Sequence, residues 1–166
     1  MKNKLLLLFV WISLVITGLA INSCKKTNTN YLPTLLTNRQ WQLASVLVYH
    51  YTGTTQTSVD TLNTNCNNTQ IFKFNTDNTC SYTNFDCLPD SVTGRWAFIA
   101  NNLYLSCDMT CKDTTSAGSS KPFQNARIQN LGQYSLILQT GDLESYYSPT
   151  QPRRIVQYGF IRVKTQ

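Results

Sequence analysis

Apolar and polar residues alternate in short runs along most of this chain, and no segment sustains the 3.6-residue period of an amphipathic helix. The alternating runs are 41–51, 70–74, 79–85, 93–99, 103–107, 123–131, 134–139 and 154–163, with a weaker one at 57–62. Asn, Asp, Gly, Ser and Pro fill the gaps between them, as residues that bound strands do. Residues 35–38 predict a single turn of helix. Eight or nine short strands at even spacing predict an all-β fold with minimal helix, a closed antiparallel barrel or a sandwich.

Two hairpins can be set in register from the pattern. In Phe74-Asn75-Thr76-Asp77-Asn78-Thr79, Asp77 suits a type I turn and Asn78 tolerates the left-handed conformation that follows. Phe74 then faces Cys80 and Phe72 faces Tyr82, which makes one face uniformly apolar and leaves Lys73 and Asn75 on the other. In the second hairpin Asn101-Asn102 supply two positive-φ residues, so that Trp96 faces Cys107 and Phe98 faces Leu105. Extended along the chain, the alternation gives an inward set of Trp41, Leu43, Phe72, Phe74, Tyr82, Trp96, Phe98, Leu105, Tyr134, Leu136 and Leu138. These residues are expected to be core or cavity lining, with core the default. Leu47 shares the parity of Trp41 and Leu43.

The N-terminus has a different pattern. Lys2 and Lys4 precede an apolar run of about a dozen residues, too short for the roughly 20 that a bilayer-spanning helix needs. The run ends at Ile21-Asn22-Ser23-Cys24, which resembles a bacterial lipobox. That resemblance implies a signal peptide over 1–23 and a lipid on Cys24, whose acyl chains would give stable membrane attachment. Residues 24–34 are expected to be a flexible tether, and 35–166 the folded body.

Composition and charge narrow the partners. Glu144 is the only glutamate, and the net charge of +6 falls to +4 once residues 1–23, with Lys2 and Lys4, are removed. The cations are dispersed, with no basic stripe interleaved with aromatics, so nucleic acid is not an expected partner. The seven glycines are scattered and form no phosphate-binding loop. No cofactor is expected.

Several segments carry a family resemblance. These are Leu36 with Trp41-Gln42-Leu43-Ala44-Ser45, Ile71-Phe72-Lys73-Phe74-Asn75-Thr76-Asp77-Asn78-Thr79, Gly94-Arg95-Trp96-Ala97-Phe98 with Leu103-Tyr104-Leu105, and Ile128-Gln129-Asn130-Leu131 leading to Leu136-Ile137-Leu138. Together they resemble the lipocalin-like domains of diderm envelope lipoproteins, over about residues 36–164. Arg39 stands where classical lipocalins have Gly, and Asn78 where the F-x-F-x-x-D-G turn has Gly. The resemblance implies an up-and-down barrel of about eight strands, either hollow enough for one small apolar ligand or filled by its own side chains.

Candidate chemistry is sparse. Outside the cytosol Cys66, Cys80, Cys87, Cys107 and Cys111 would tend to oxidise, and five is odd. The first hairpin's register leaves Cys66 and Cys87 one residue from direct pairing, and a local bulge would close that gap. Cys111 is a competing partner, and Cys107 with Cys111 is an alternative pair. A zinc site from Cys80, Cys87, Cys107 and Cys111 has poor ligand spacing, so no metal is expected. Cys80 is expected to be a buried free thiol. His50 has outward parity and lacks a cleft in which to serve as a base, and most Asp residues sit in turns. No catalytic residue is therefore assigned. Asp60-Thr61-Leu62, Asp90-Ser91-Val92 and Asp113-Thr114-Thr115 resemble acceptors of a bacterial periplasmic O-glycosylation system. Tyr146-Tyr147 beside Arg153-Arg154 has the composition of a recognition surface.

The expected function is that of a non-enzymatic lipoprotein of the cell envelope, lipid-anchored at the outer membrane and facing the periplasm, with a barrel that takes a small hydrophobic ligand. The alternative is an envelope interaction module with a filled barrel, recognising a protein or glycan through the loops at 107–123 and 141–153.

Overall fold

Pro33 marks the start of the folded body, because proline suits the first turn of a helix, where its missing N–H would have no intrahelical partner. The computed structural model describes residues 31–62, 64 and 66–164. The expected signal peptide, Cys24 and most of the expected tether lie outside the described residues. Helix α1 (Tyr31–Thr37) begins four residues before the expected start of the body. Thr37 Oγ1 donates to the Pro33 carbonyl at 2.9 Å and Asn38 N to that of Thr34 at 3.1 Å, closing its last turn. From Tyr31 onward the chain forms one compact unit.

The strands are β1 (Gln40–Thr52), β2 (Thr55–Leu62), β3 (Ile71–Phe74), β4 (Thr79–Thr83), β5 (Ser91–Ile99), β6 (Tyr104–Cys107), β7 (Cys111–Lys112), β8 (Ser119–Ser120), β9 (Ala126–Leu131), β10 (Ser135–Gly141) and β11 (Pro152–Arg162). Eight of them close an antiparallel barrel in the order β1-β3-β4-β5-β6-β9-β10-β11, with β11 pairing back onto β1. The fold is therefore all-β, a closed eight-strand antiparallel barrel. Strand β2 stands outside the ring. It pairs with the distal half of β1, while β3 occupies the first three residues of that same strand. Both faces of β2 are exposed, which fits its polar composition.

Both hairpin registers expected from the pattern are present. Phe72 faces Tyr82, Phe74 faces Cys80, Trp96 faces Cys107 and Phe98 faces Leu105. Asn78 has φ 65°, and Asn101 and Asn102 have φ 56° and 67°. Asp77 fixes the first turn by accepting from Thr79 N at 3.0 Å and Thr79 Oγ1 at 2.6 Å, bonds that hold its carboxyl below the usual carboxylate range.

A bulge at Ala44 alters the inward set of β1. Leu43 faces Phe160 but Ser45 faces Gly159, so one extra residue enters β1 between them. The side of every later residue is reversed, and Val46 and Val48 are buried while Leu47 is only half-buried. Gly159 accommodates the bulge, since a Cβ there would lie 2.5 Å from Ser45 Oγ.

Both ends of the barrel are stoppered. At one end, called the α1 end, Leu36 inserts its fully buried side chain and its carbonyl accepts the Trp41 indole N–H at 2.9 Å. The turns after β3, β5 and β9 and the end of β11 lie at this end, as the strand directions require. At the other, the loop end, the segment 108–125 folds inward with the small β7–β8 hairpin and buries Met109, Cys111 and Phe123. Gly94 admits this plug, because a Cβ there would lie 2.8 Å from Met109 N and 3.0 Å from Met109 Cβ.

Candidate functional site

The aromatic and basic cluster at the loop end is built on a tight backbone contact. Gly53, at φ +60°, ends the β1 strand, and a Cβ on it would collide with the Pro149 carbonyl. Gly53 N donates to the Gln151 carbonyl at 3.2 Å, which seats the 142–151 loop against the β1–β2 hairpin. Arg153 completes the clamp. Its guanidinium donates to the carbonyls of Gly53 and Asp142, each at 3.2 Å, and lies 3.7 Å from the Tyr147 ring centroid and 5.7 Å from that of Tyr51. At the loop's start the Asp142 carboxylate accepts Arg154 N at 2.7 Å, and Leu143 is buried beneath. The result is a groove of about 320 Å³ lined by Asp142, Glu144, Tyr146, Tyr147, Gln151 and Arg153 among others. Tyr146 is 93% exposed.

The barrel interior is packed. Trp41, Leu43, Phe72, Phe74, Tyr82, Trp96, Leu105, Leu136 and Leu138 are all buried, as the alternation predicts. Phe98 is half-buried and packs edge-on against Trp96 at 5.4 Å. Tyr134 is the exception and a correction to the inward set, since it is 69% exposed. It shares the parity of Leu136 and Leu138, but it falls in the turn before β10, where the pleat that would aim it inward has not begun. Rings from facing walls meet across the axis: Tyr82 on β4 and Phe160 on β11 have centroids 6.3 Å apart, and Phe123 of the plug lies 4.9 Å from Phe72. A recess beside Leu43, Val46, Gln70, Phe85 and Tyr158 reaches inward with about 60 Å³. That is well below the roughly 300 Å³ at which small-molecule pockets begin.

Cys66 and Cys87 form a disulfide with Cα atoms 5.4 Å apart. The local irregularity that joins them is a left-handed kink, with positive φ at Asn84, Asp86 and Cys87 around a short 3₁₀ turn, Phe85–Cys87. The alternative pairing of Cys107 with Cys111 is not formed, and both are buried thiols, as is Cys80. Burial, then the neighbouring Cys80 thiol, pushes the Cys107 thiol far up. Burial, with Asp113 and Asp90 nearby, pushes Cys111 up to about 12. Among the described residues no group of His, Cys, Asp and Glu is arranged to hold a metal.

Several other titratable groups secure the scaffold. The bulge gives His50 the parity of Val46 and Val48, and the side chain meets Asp60 of β2 at 2.9 Å, beyond the closed part of the ring. Asp86 Oδ2 accepts Thr114 N at 2.7 Å and Thr114 Oγ1 at 2.6 Å, and Asp108 Oδ1 accepts Arg95 N at 2.6 Å. Asp90 pairs with Lys112 at 3.4 Å. The bonds of Asp86, Asp108 and Asp90 fasten the plug, and that of His50 joins β2 to β1. Thr61, Ser91 and Thr114 of the three Asp-Thr/Ser triplets are exposed.

Comparison with protein-family models, curated proteins and solved structures finds no match. The class of the molecule is therefore defined by its own architecture, a closed eight-strand antiparallel barrel stoppered at both ends and bearing one arginine-clamped groove at the rim.

Proposed function

We propose that the protein is a non-enzymatic recognition module of the lipocalin-like kind, tethered by lipid on Cys24 at the outer membrane and facing the periplasm, and that its rim groove takes a glycan. The observation that carries this reading is the groove itself. The exposed Tyr146 lines it together with two acidic residues, Asp142 and Glu144, and the amide-bearing Gln151. A sugar offers an apolar C–H face to an aromatic ring and in-plane hydroxyls to carboxylates and amides, and this groove supplies both kinds of partner. The Arg153 clamp holds the loop in place before binding, which reduces the ordering cost of recognition. A hydrophobic guest inside the barrel has less support, because it would have to displace Phe123 and separate the rings around it.

Two experiments test the reading. Alkyne-tagged fatty acid supplied to the host should label the wild-type protein and not the Cys24→Ala variant, and equal labelling would remove the tether. Separately, the Cys24→Ser chain should bind saturably to a subset of an array of envelope oligosaccharides, with binding lost in Tyr146→Ala. Absence of binding across the array, together with a saturable apolar fluorophore displaced by fatty acid, would favour the hydrophobic cup.

A further inference from the structure

We infer that the α1 end of the barrel is a docking face for the anionic headgroups of a lipid bilayer. Two contiguous grooves run along this end. One, of about 820 Å³, is lined by Arg39, Tyr134, Ile161, Arg162 and Lys164 with their neighbours, and the other, of about 480 Å³, by Arg39, Lys73, Phe74 and Val163 among others. Four cationic residues, Arg39, Lys73, Arg162 and Lys164, thus line the two grooves, and among the described residues no acidic one does.

The acids are segregated from them. The chain has eight acidic residues. Asp77 lies at the α1 end, and its Oδ1 is engaged by Thr79. Asp86, Asp90, Asp108, Asp113, Asp142 and Glu144 follow strands that run toward the loop end or precede strands that leave it, and Asp60 lies on β2. The cationic end also exposes apolar surface, with Tyr134 at 69% and Ile161 at 50%, and Tyr31 and Leu103 are exposed at the same end. Arginine and lysine beside amphipathic rings and aliphatics suit a headgroup layer, where charges meet phosphate and apolar groups enter the boundary with the acyl chains.

Chain geometry selects a bilayer over other polyanions. Six residues, Lys25 to Asn30, separate Cys24 from Tyr31, and fully extended they span about 20 Å. With Cys24 acylated, the α1 end is the part of the body held within reach of the headgroups. This last point rests on the proposed tether, whereas the charge segregation does not. Docked this way, the barrel stands on the membrane with its glycan groove pointing away.

The test uses the chain from residue 24 onward with Cys24→Ser, which carries neither an acyl group nor the apolar run of residues 1–23, so that its outcome is independent of the tether and of the groove. Cosedimentation with vesicles of phosphatidylglycerol and phosphatidylcholine should exceed that with phosphatidylcholine alone and should collapse in 0.5 M NaCl. Lys73→Gln and Lys164→Gln should each lower the partition coefficient about fivefold, and Tyr134→Ser should lower it further, whereas Lys121→Gln on the loop-end segment should leave it unchanged. Equal binding to both vesicle types, no binding to either, or an equal loss in Lys121→Gln would overturn the inference. Should a variant fail to fold, the wild-type comparison of the two vesicle types still decides it.

Discussion

Gly53 lies directly beneath Pro149, so close that any side chain at position 53 would strike the Pro149 carbonyl. The same glycine has a φ of +60°, which other L-residues adopt only with strain. Gly53→Ala should therefore displace the 142–151 loop and cost about 1–3 kcal/mol. Thermal unfolding and proteolysis within 142–151 check this. An unchanged melting temperature together with unchanged cleavage would mean that the loop is not seated as described.

The Cys66–Cys87 bond closes a loop with a sequence separation of 21 residues, for which cross-link entropy gives about 3 kcal/mol. The double variant Cys66→Ser/Cys87→Ser should melt roughly 10 °C lower. Peptide mapping of the native protein after alkylation should find Cys80, Cys107 and Cys111 as free thiols. Recovery of a Cys107–Cys111 cross-linked peptide would contradict the structure.

Those thiols also set an alkaline limit. In the unfolded chain a cysteine ionises near 8.5, whereas the folded protein holds the Cys111 proton until about pH 12 and the Cys107 proton more tightly still. The folded-state pKa values are raised, so the associated stability is full below about pH 8.5 and declines as pH rises toward 12, because the unfolded chain releases protons that the folded one retains. Denaturant midpoints measured from pH 7 to 11 should fall, and should fall less steeply in Cys107→Ala/Cys111→Ala. Native thiols should also resist a water-soluble disulfide reagent until the protein unfolds.

Gly94 marks where the plug enters the barrel. Gly94→Ala would place a methyl against the backbone of Met109, an overpacking expected to cost about 1–3 kcal/mol. Near-ultraviolet circular dichroism of the rings around Phe123 should weaken while the far-ultraviolet β signal persists. An unperturbed near-ultraviolet spectrum would show that the plug does not depend on that contact.

The hairpins of the barrel were legible in the sequence because two independent signals coincide there. Around Asp77-Asn78 the turn chemistry and the period-two pattern demand the same register, so Phe72, Phe74, Cys80 and Tyr82 could be placed inward without ambiguity. Val46-Leu47-Val48 is different, since three successive apolar residues fit either parity and the bulge at Ala44 depends on Gly159, more than a hundred residues away. The plug was hidden for a related reason. Its Asp, Thr, Ser and Gly residues have the composition of a surface loop, and Phe123 looked like the start of a strand, though only the tertiary fold turns it inward. In the groove, Tyr146, Tyr147 and Arg153 stood out by composition, while the contact between Gly53 and Pro149 that positions them is long-range and leaves no local trace.

Chemical-shift mapping on the isotopically labelled Cys24→Ser chain tests the central claim most directly. The barrel is filled, and under the proposed function recognition is at the rim, so an array-positive oligosaccharide should shift amides at Gly53 and across 142–153, while Phe72, Tyr82 and Leu138 stay fixed. An apolar probe should leave the interior unmoved. Shifts concentrated on those inward residues, with either ligand, would contradict the account.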